Sequence, residues 1–65
     1  MNIRTLLGNE FPYAVDNTNN IIIRDWCIQT FGEPGINWVT QWNGNVRFKT
    51  EEHALWCIIR FSDFN

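Results

Sequence analysis

Ile36-Asn37-Trp38-Val39-Thr40-Gln41-Trp42-Asn43-Gly44-Asn45-Val46-Arg47-Phe48-Lys49-Thr50 decides the fold. Two runs rich in aromatic and β-branched residues flank Asn43-Gly44, and Asn-Gly between such runs marks a β-hairpin, here over about residues 36–49. Two loops are possible, and they expose different faces. A two-residue loop pairs Trp42 with Asn45 and puts Trp38, Thr40 and Trp42 on the side of Arg47 and Lys49, with Val39, Val46 and Phe48 opposite. A three-residue loop, Asn43-Gly44-Asn45, pairs Trp42 with Val46 and Thr40 with Phe48. It gathers Ile36, Trp38, Trp42, Val46 and Phe48 on one apolar face and leaves Val39, Gln41, Arg47 and Lys49 outside. A slip of one residue exchanges the faces of a strand. The single apolar face favours the three-residue loop, with Asn45 taking the left-handed conformation that closes it.

Each side of the hairpin leads into a helix. Downstream, Thr50 suits an N-cap, and Glu51 and Glu52 fall in the first turn, where the helix dipole favours carboxylates. A helix over about residues 51–61 follows, with Ala54, Leu55, Cys57, Ile58 and Phe61 on its apolar side. Upstream, the capping cluster Asp16-Asn17-Thr18-Asn19-Asn20 opens an apolar stretch that Gly32-Glu33-Pro34-Gly35 ends. That predicts a helix over about 20–31 despite the β-branched run Ile21-Ile22-Ile23. Its core face is Ile23, Trp26, Cys27, Thr30 and Phe31, with Ile21 and Ile28 at the boundary. The two helices share a hexapeptide pattern, W-C-I-x-x-F, at Trp26 to Phe31 and at Trp56 to Phe61. The Trp residues differ in direction: Trp26 faces inward, whereas Trp56 falls toward Glu52, His53 and Arg60.

Alternation in Ile3-Thr5-Leu7 and in Phe11-Tyr13-Val15 suggests extended structure on either side of Gly8-Asn9. Pro12 lacks the N–H of a central strand, so residues 1–17 read as an arm or an edge strand. The sequence therefore predicts a single α+β domain over 1–65, with an α-β-β-α core and an extended N-terminal arm.

A chain of 65 residues buries only ~60% of the surface its unfolded form exposes, so the core needs supplementing. Ten aromatics, four of them Trp, supply dense packing, and so many indoles in so small a domain leave some apolar surface for association. A homodimer or a protein complex is expected. The net charge of −2, with only five basic residues, argues against general affinity for phosphate backbones. No run approaches the ~20 apolar residues of a membrane span, and no signal-like segment opens the chain, which predicts a soluble cytoplasmic protein. Cys27 and Cys57, each between Trp and Ile, read as reduced core residues.

No residue pattern carries catalytic or metal chemistry. There is no CxxC, and a single His cannot complete a usual zinc site with two Cys. His53 could in principle activate Cys27 or Cys57, but a first-turn His beside two carboxylates is ordinarily solvated. Glu51 and Glu52 point about 100° apart, which is poor geometry for paired carboxylates. Gly32-Glu33-Pro34-Gly35 precedes a strand, so it is no phosphate loop, and no cofactor is expected. Two binding surfaces remain. The first is Trp56, Ile59 and Glu52, extended by Phe64, since Trp is enriched at interface hot spots and an acidic neighbour directs a basic partner. The alternative is a single-stranded nucleic-acid face of Trp38, Trp42, Arg47 and Lys49, which needs the two-residue loop.

Phe31-Gly32-x-x-Gly35-x-x-Trp38, then Phe48-x-x-Glu51-Glu52-His53-Ala54, Trp56 and Arg60-Phe61, resembles a pattern in small accessory proteins of tailed bacteriophages. The resemblance spans residues 20–61. It implies an early, host-takeover or counter-defence protein: a non-enzymatic binder, in the host cytoplasm, that inhibits or redirects a host protein such as a defence component.

Overall fold

The computed structural model describes residues 1–63. Four strands and two helices follow in the order β1 (Ile3–Thr5), β2 (Tyr13–Val15), α1 (Ile21–Phe31), β3 (Trp38–Thr40), β4 (Val46–Phe48) and α2 (Glu51–Arg60). The strands form one antiparallel sheet in the order β1-β2-β4-β3, so α1 carries the chain from β2 across β4 to β3. The α+β class and the helix–hairpin–helix run match the sequence reading. The N-terminal segment matches it in part: β1 is an edge strand, whereas the second stretch, expected at an edge or in an arm, is not. β1 and β2 form a hairpin within the same sheet, and β2 lies in the interior, between β1 and β4. Pro12 stands just before β2, where only its carbonyl is used, accepting the Leu6 N–H at 2.7 Å, so its missing donor disturbs no ladder.

Strand alternation separates the two faces of the sheet. Tyr13, Phe48 and Trp38 form one row across the inner face, with Val15 and Val46 beside them. Val15, Trp38, Val46 and Phe48 are buried against Ile23, Cys27, Ala54, Cys57 and Phe61 from the helices. The outer face carries Arg4, Ala14, Arg47 and Val39.

The β3–β4 pairing corrects the sequence reading by two residues. Trp38 pairs with Phe48 and Thr40 with Val46, and Gln41 N–H donates to Asn45 C=O at 2.7 Å, so the loop is Trp42-Asn43-Gly44. Gly44, not Asn45, takes the positive φ, 87°. The close approach of Asn19 explains that choice: a Cβ on Gly44 would lie 2.5 Å from Asn19 Cγ. Because the offset is even, the inward and outward assignments of Trp38, Val46, Phe48, Val39 and Arg47 stand. Ile36 and Trp42 leave the apolar face and are 68% and 90% exposed.

Capping places both helices. Asn20 Oδ1 accepts the Ile22 N–H at 2.8 Å, and Gly32, with φ 87°, donates its N–H to Ile28 C=O at 2.9 Å to end α1. Thr50 Oγ1 accepts the His53 N–H at 3.3 Å to begin α2. The α1 terminator also grips β3: Trp38 Nε1 donates to Gly32 C=O at 2.8 Å, and the Gly35 N–H donates to Trp38 C=O at 2.7 Å. Ile23 and Cys27 are buried as expected, whereas Trp26 and Phe31 are half-buried and Thr30 is exposed.

Candidate functional site: the exposed face of the helix layer

On α2, Ala54, Cys57 and Phe61 point into the core at the spacing of one helical face. At ~100° per residue the opposite side is Glu52, Leu55, Trp56 and Ile59, all exposed. Trp56 is 45% exposed, Leu55 46% and Ile59 73%. Leu55 thus belongs to the outer stripe and corrects its assignment to the core. Two positions before Cys57, it lies about 200° round the helix from that buried thiol. Phe64, the expected extension of the stripe, lies outside the described residues.

Trp56 is held in a fixed orientation while keeping its outer surface. Its ring stacks on Phe31 at 6.0 Å and meets His53 at 5.0 Å; His53 in turn lies 4.5 Å from Phe31. Phe31 continues inward to Phe48 at 5.4 Å and sideways to Trp26 at 5.3 Å, and Trp26 reaches Phe61 at 5.4 Å. An aromatic array of this kind leaves an exposed side chain with little entropy to lose. His53 Nδ1 is buried within it and has no hydrogen-bond partner among the described residues.

Beside the stripe, the two helices enclose a groove of ≈ 230 Å³ lined by Ile22, Asp25, Trp26, Gln29, Arg60 and Phe61. Sequence reasoning missed this groove. Ile22 and Trp26 stand four apart on α1, a spacing that marks one helix face, but only the approach of α2 makes a groove of it.

Charge divides the two sides. Arg4 pairs with Asp16 at 3.9 Å and Lys49 with Glu10 at 3.7 Å, and Arg47 Nε donates to Phe11 C=O at 2.9 Å, all on the sheet side. Among the described residues Asp25, Glu51 and Glu52 on the helices have no ion-pair partner.

The residues of the nucleic-acid alternative do not come together. Trp38 is 1% exposed on the inner face, while Arg47 and Lys49 follow the outer face and are engaged by Phe11 and Glu10. Trp42 projects alone from the β3–β4 loop. The observed register buries Trp38 opposite Phe48, and that pairing separates the four.

Cys27 and Cys57 are free and buried. Burial pushes both thiols up to about 12, and for Cys27 the neighbouring Cys57 adds to the effect. Both therefore stay protonated at neutral pH, where a nucleophilic cysteine would be a thiolate. Among the described residues no three His, Cys, Asp or Glu side chains cluster so as to hold a metal ion, and no helix is long and apolar enough to cross a membrane.

Fold and site define a two-layer α+β domain with an exposed aromatic helix face. Comparison with protein-family models, with curated proteins and with solved structures returns no match to this chain.

Proposed function

We propose that this chain is a non-enzymatic binding domain that docks a protein partner on the outer stripe of α2, through Glu52, Leu55, Trp56 and Ile59. The observation that carries the reading is the state of Trp56: a large ring stacked on Phe31, held by His53, yet 45% exposed beside an exposed Leu55 and Ile59. Trp is among the residue types most enriched at interface hot spots, and the exposed Leu55 and Ile59 widen the apolar patch around it. The non-enzymatic part of the reading is supported by the two core thiols, both raised to about 12, and by the packing of His53 against Phe31 and Trp56.

The phage-like spacing of glycines and aromatics extends the proposal to biology. The partner is a host protein that the domain inhibits or redirects, a defence component being one such target, and the complex forms in the host cytoplasm. Glu52, exposed and without an ion-pair partner among the described residues, favours a basic patch on that host protein, which the domain engages as a homodimer or within a stoichiometric complex. Affinity capture from bacterial lysate with the tagged protein, followed by light scattering of the purified complex, tests the reading. The expected result is one host protein retained in fixed stoichiometry. A stable homodimer that retains nothing would overturn it.

A further inference from the structure

We propose that the helix layer docks a basic amphipathic segment of its protein partner, with one Lys or Arg of that segment anchored in the groove between α1 and α2. The inference rests on the docking reading above and adds the chemistry of what docks.

Three observations converge on it. The first is charge: α1, α2 and the turns that end them carry Asp25, Glu33, Glu51, Glu52 and Asp63 against only Arg24 and Arg60. Arg24 is held by the neutral Asn19 Oδ1 at 3.2 Å and Arg60 lies over the Phe61 ring at 5.1 Å, so both keep their charge and the layer carries an excess of carboxylates over cations. Both ion pairs among the described residues lie on the sheet side, so the helix carboxylates form none and the layer keeps a net negative charge.

The second is the shape of the groove. At ≈ 230 Å³ it suits a single long side chain, and Ile22, Trp26 and Phe61 give it an apolar floor. Asp25 and Gln29 stand on the α1 wall as acceptors, opposite Arg60. An apolar stem lying over Trp26 with its cationic head on the α1 wall at Asp25, directed outward and away from Arg60, fits this lining, as Lys and Arg side chains do when they bury their stems and keep their charge at the surface.

The third is continuity. Trp26 touches Phe31, Phe31 stacks with Trp56, and Arg60 lies one helical turn beyond Trp56, so groove and stripe are parts of one surface. A partner helix laid along it would set apolar residues on Leu55, Trp56 and Ile59 and cations beside Glu52 and Asp25. Such helix-in-groove recognition is a common mode of peptide binding.

The test uses the full chain, labelled with nitrogen-15, and two synthetic amphipathic helices of the same pattern, one of Leu and Lys, the other of Leu and Glu. The Leu–Lys peptide should shift amides within 22–29 and 52–61. Its affinity should fall ~10-fold or more when Asp25→Asn and Glu52→Gln are combined, and again when salt is raised from about 0.05 M to about 0.5 M. Equal binding of the Leu–Glu peptide at the same amides, lost on Trp56→Ala or Ile59→Ala, would overturn the basic partner and leave the docking stripe standing. Shifts confined to the sheet, or indifferent to both of those substitutions, would overturn both. No shift with either peptide would overturn the basic segment, while the stripe is judged separately by capture of the host protein.

Discussion

The Thr18 hydroxyl sits where β2 and β4 would otherwise bond directly. It donates to Val15 C=O at 2.7 Å and accepts the Val46 N–H at 2.8 Å, and the residue is fully buried. Thr18→Val keeps the shape and removes both bonds, leaving a buried carbonyl and a buried N–H unsatisfied. Equilibrium urea unfolding should show a loss of about 3 kcal/mol, with Thr18→Ser losing about 1 kcal/mol, the scale of one buried methyl group. The two core thiols give a pH signature. Their pKa is raised to about 12 in the folded chain from an ordinary 9.0, so they stay protonated in the native state at pH values where the unfolded chain releases the protons. Their contribution is complete below pH 9 and is lost as the pH rises toward 12, by about 1.4 kcal/mol per pH unit for each thiol. Denaturation followed across that window should show the decline, and Cys57→Ala should flatten it; stability that rises with pH there would contradict the assignment.

At the scale of elements, the helices were legible because each carries its own boundaries: Asn20 and Gly32 for α1, Thr50 for α2. The sheet was legible only in part. Alternation has a period of two, so the pattern of 36–49 distinguishes the loops that swap faces but not two registers offset by two residues. What selects the register is distant in sequence. Asn45 Oδ1 accepts the Thr18 N–H at 3.1 Å, and Gly44 lies against Asn19. Neither contact is visible in the hairpin alone. The interior place of β2 is hidden for a related reason: the alternation of Phe11-Tyr13-Val15 draws Pro12 into the strand, whereas it precedes the strand. Gly44→Ala tests the register directly. It forces a side chain into the left-handed region and against Asn19, so thermal unfolding should reveal a loss of about 2 kcal/mol or more, since the conformation alone costs about 1–2 kcal/mol. A neutral substitution would mean that the turn lies elsewhere.

For the whole molecule, the layers assign different work to the two sides. The sheet side spends its cations internally, on Asp16, Glu10 and the Phe11 carbonyl, whereas the helix side keeps its carboxylates free of ion pairs among the described residues and turns Trp56 outward. Trp56, Ile59 and Glu52 were readable as one stripe because helical periodicity alone places them. Leu55 was not, since a broad apolar side hid its turn away from Cys57, and the groove required two helices to meet. The register also sets a useful contrast. Trp42 is the most exposed indole, yet it projects from the β3–β4 loop, apart from the α2 stripe. Quantitative capture from bacterial lysate by the tagged chain, by Trp56→Ala and by Trp42→Ala, with circular dichroism confirming that each is folded, separates the surfaces. The docking stripe predicts that Trp56→Ala loses the retained partner ~10-fold or more while Trp42→Ala holds it as the parent does. Undiminished retention by folded Trp56→Ala, or loss by Trp42→Ala alone, would contradict the stripe on α2.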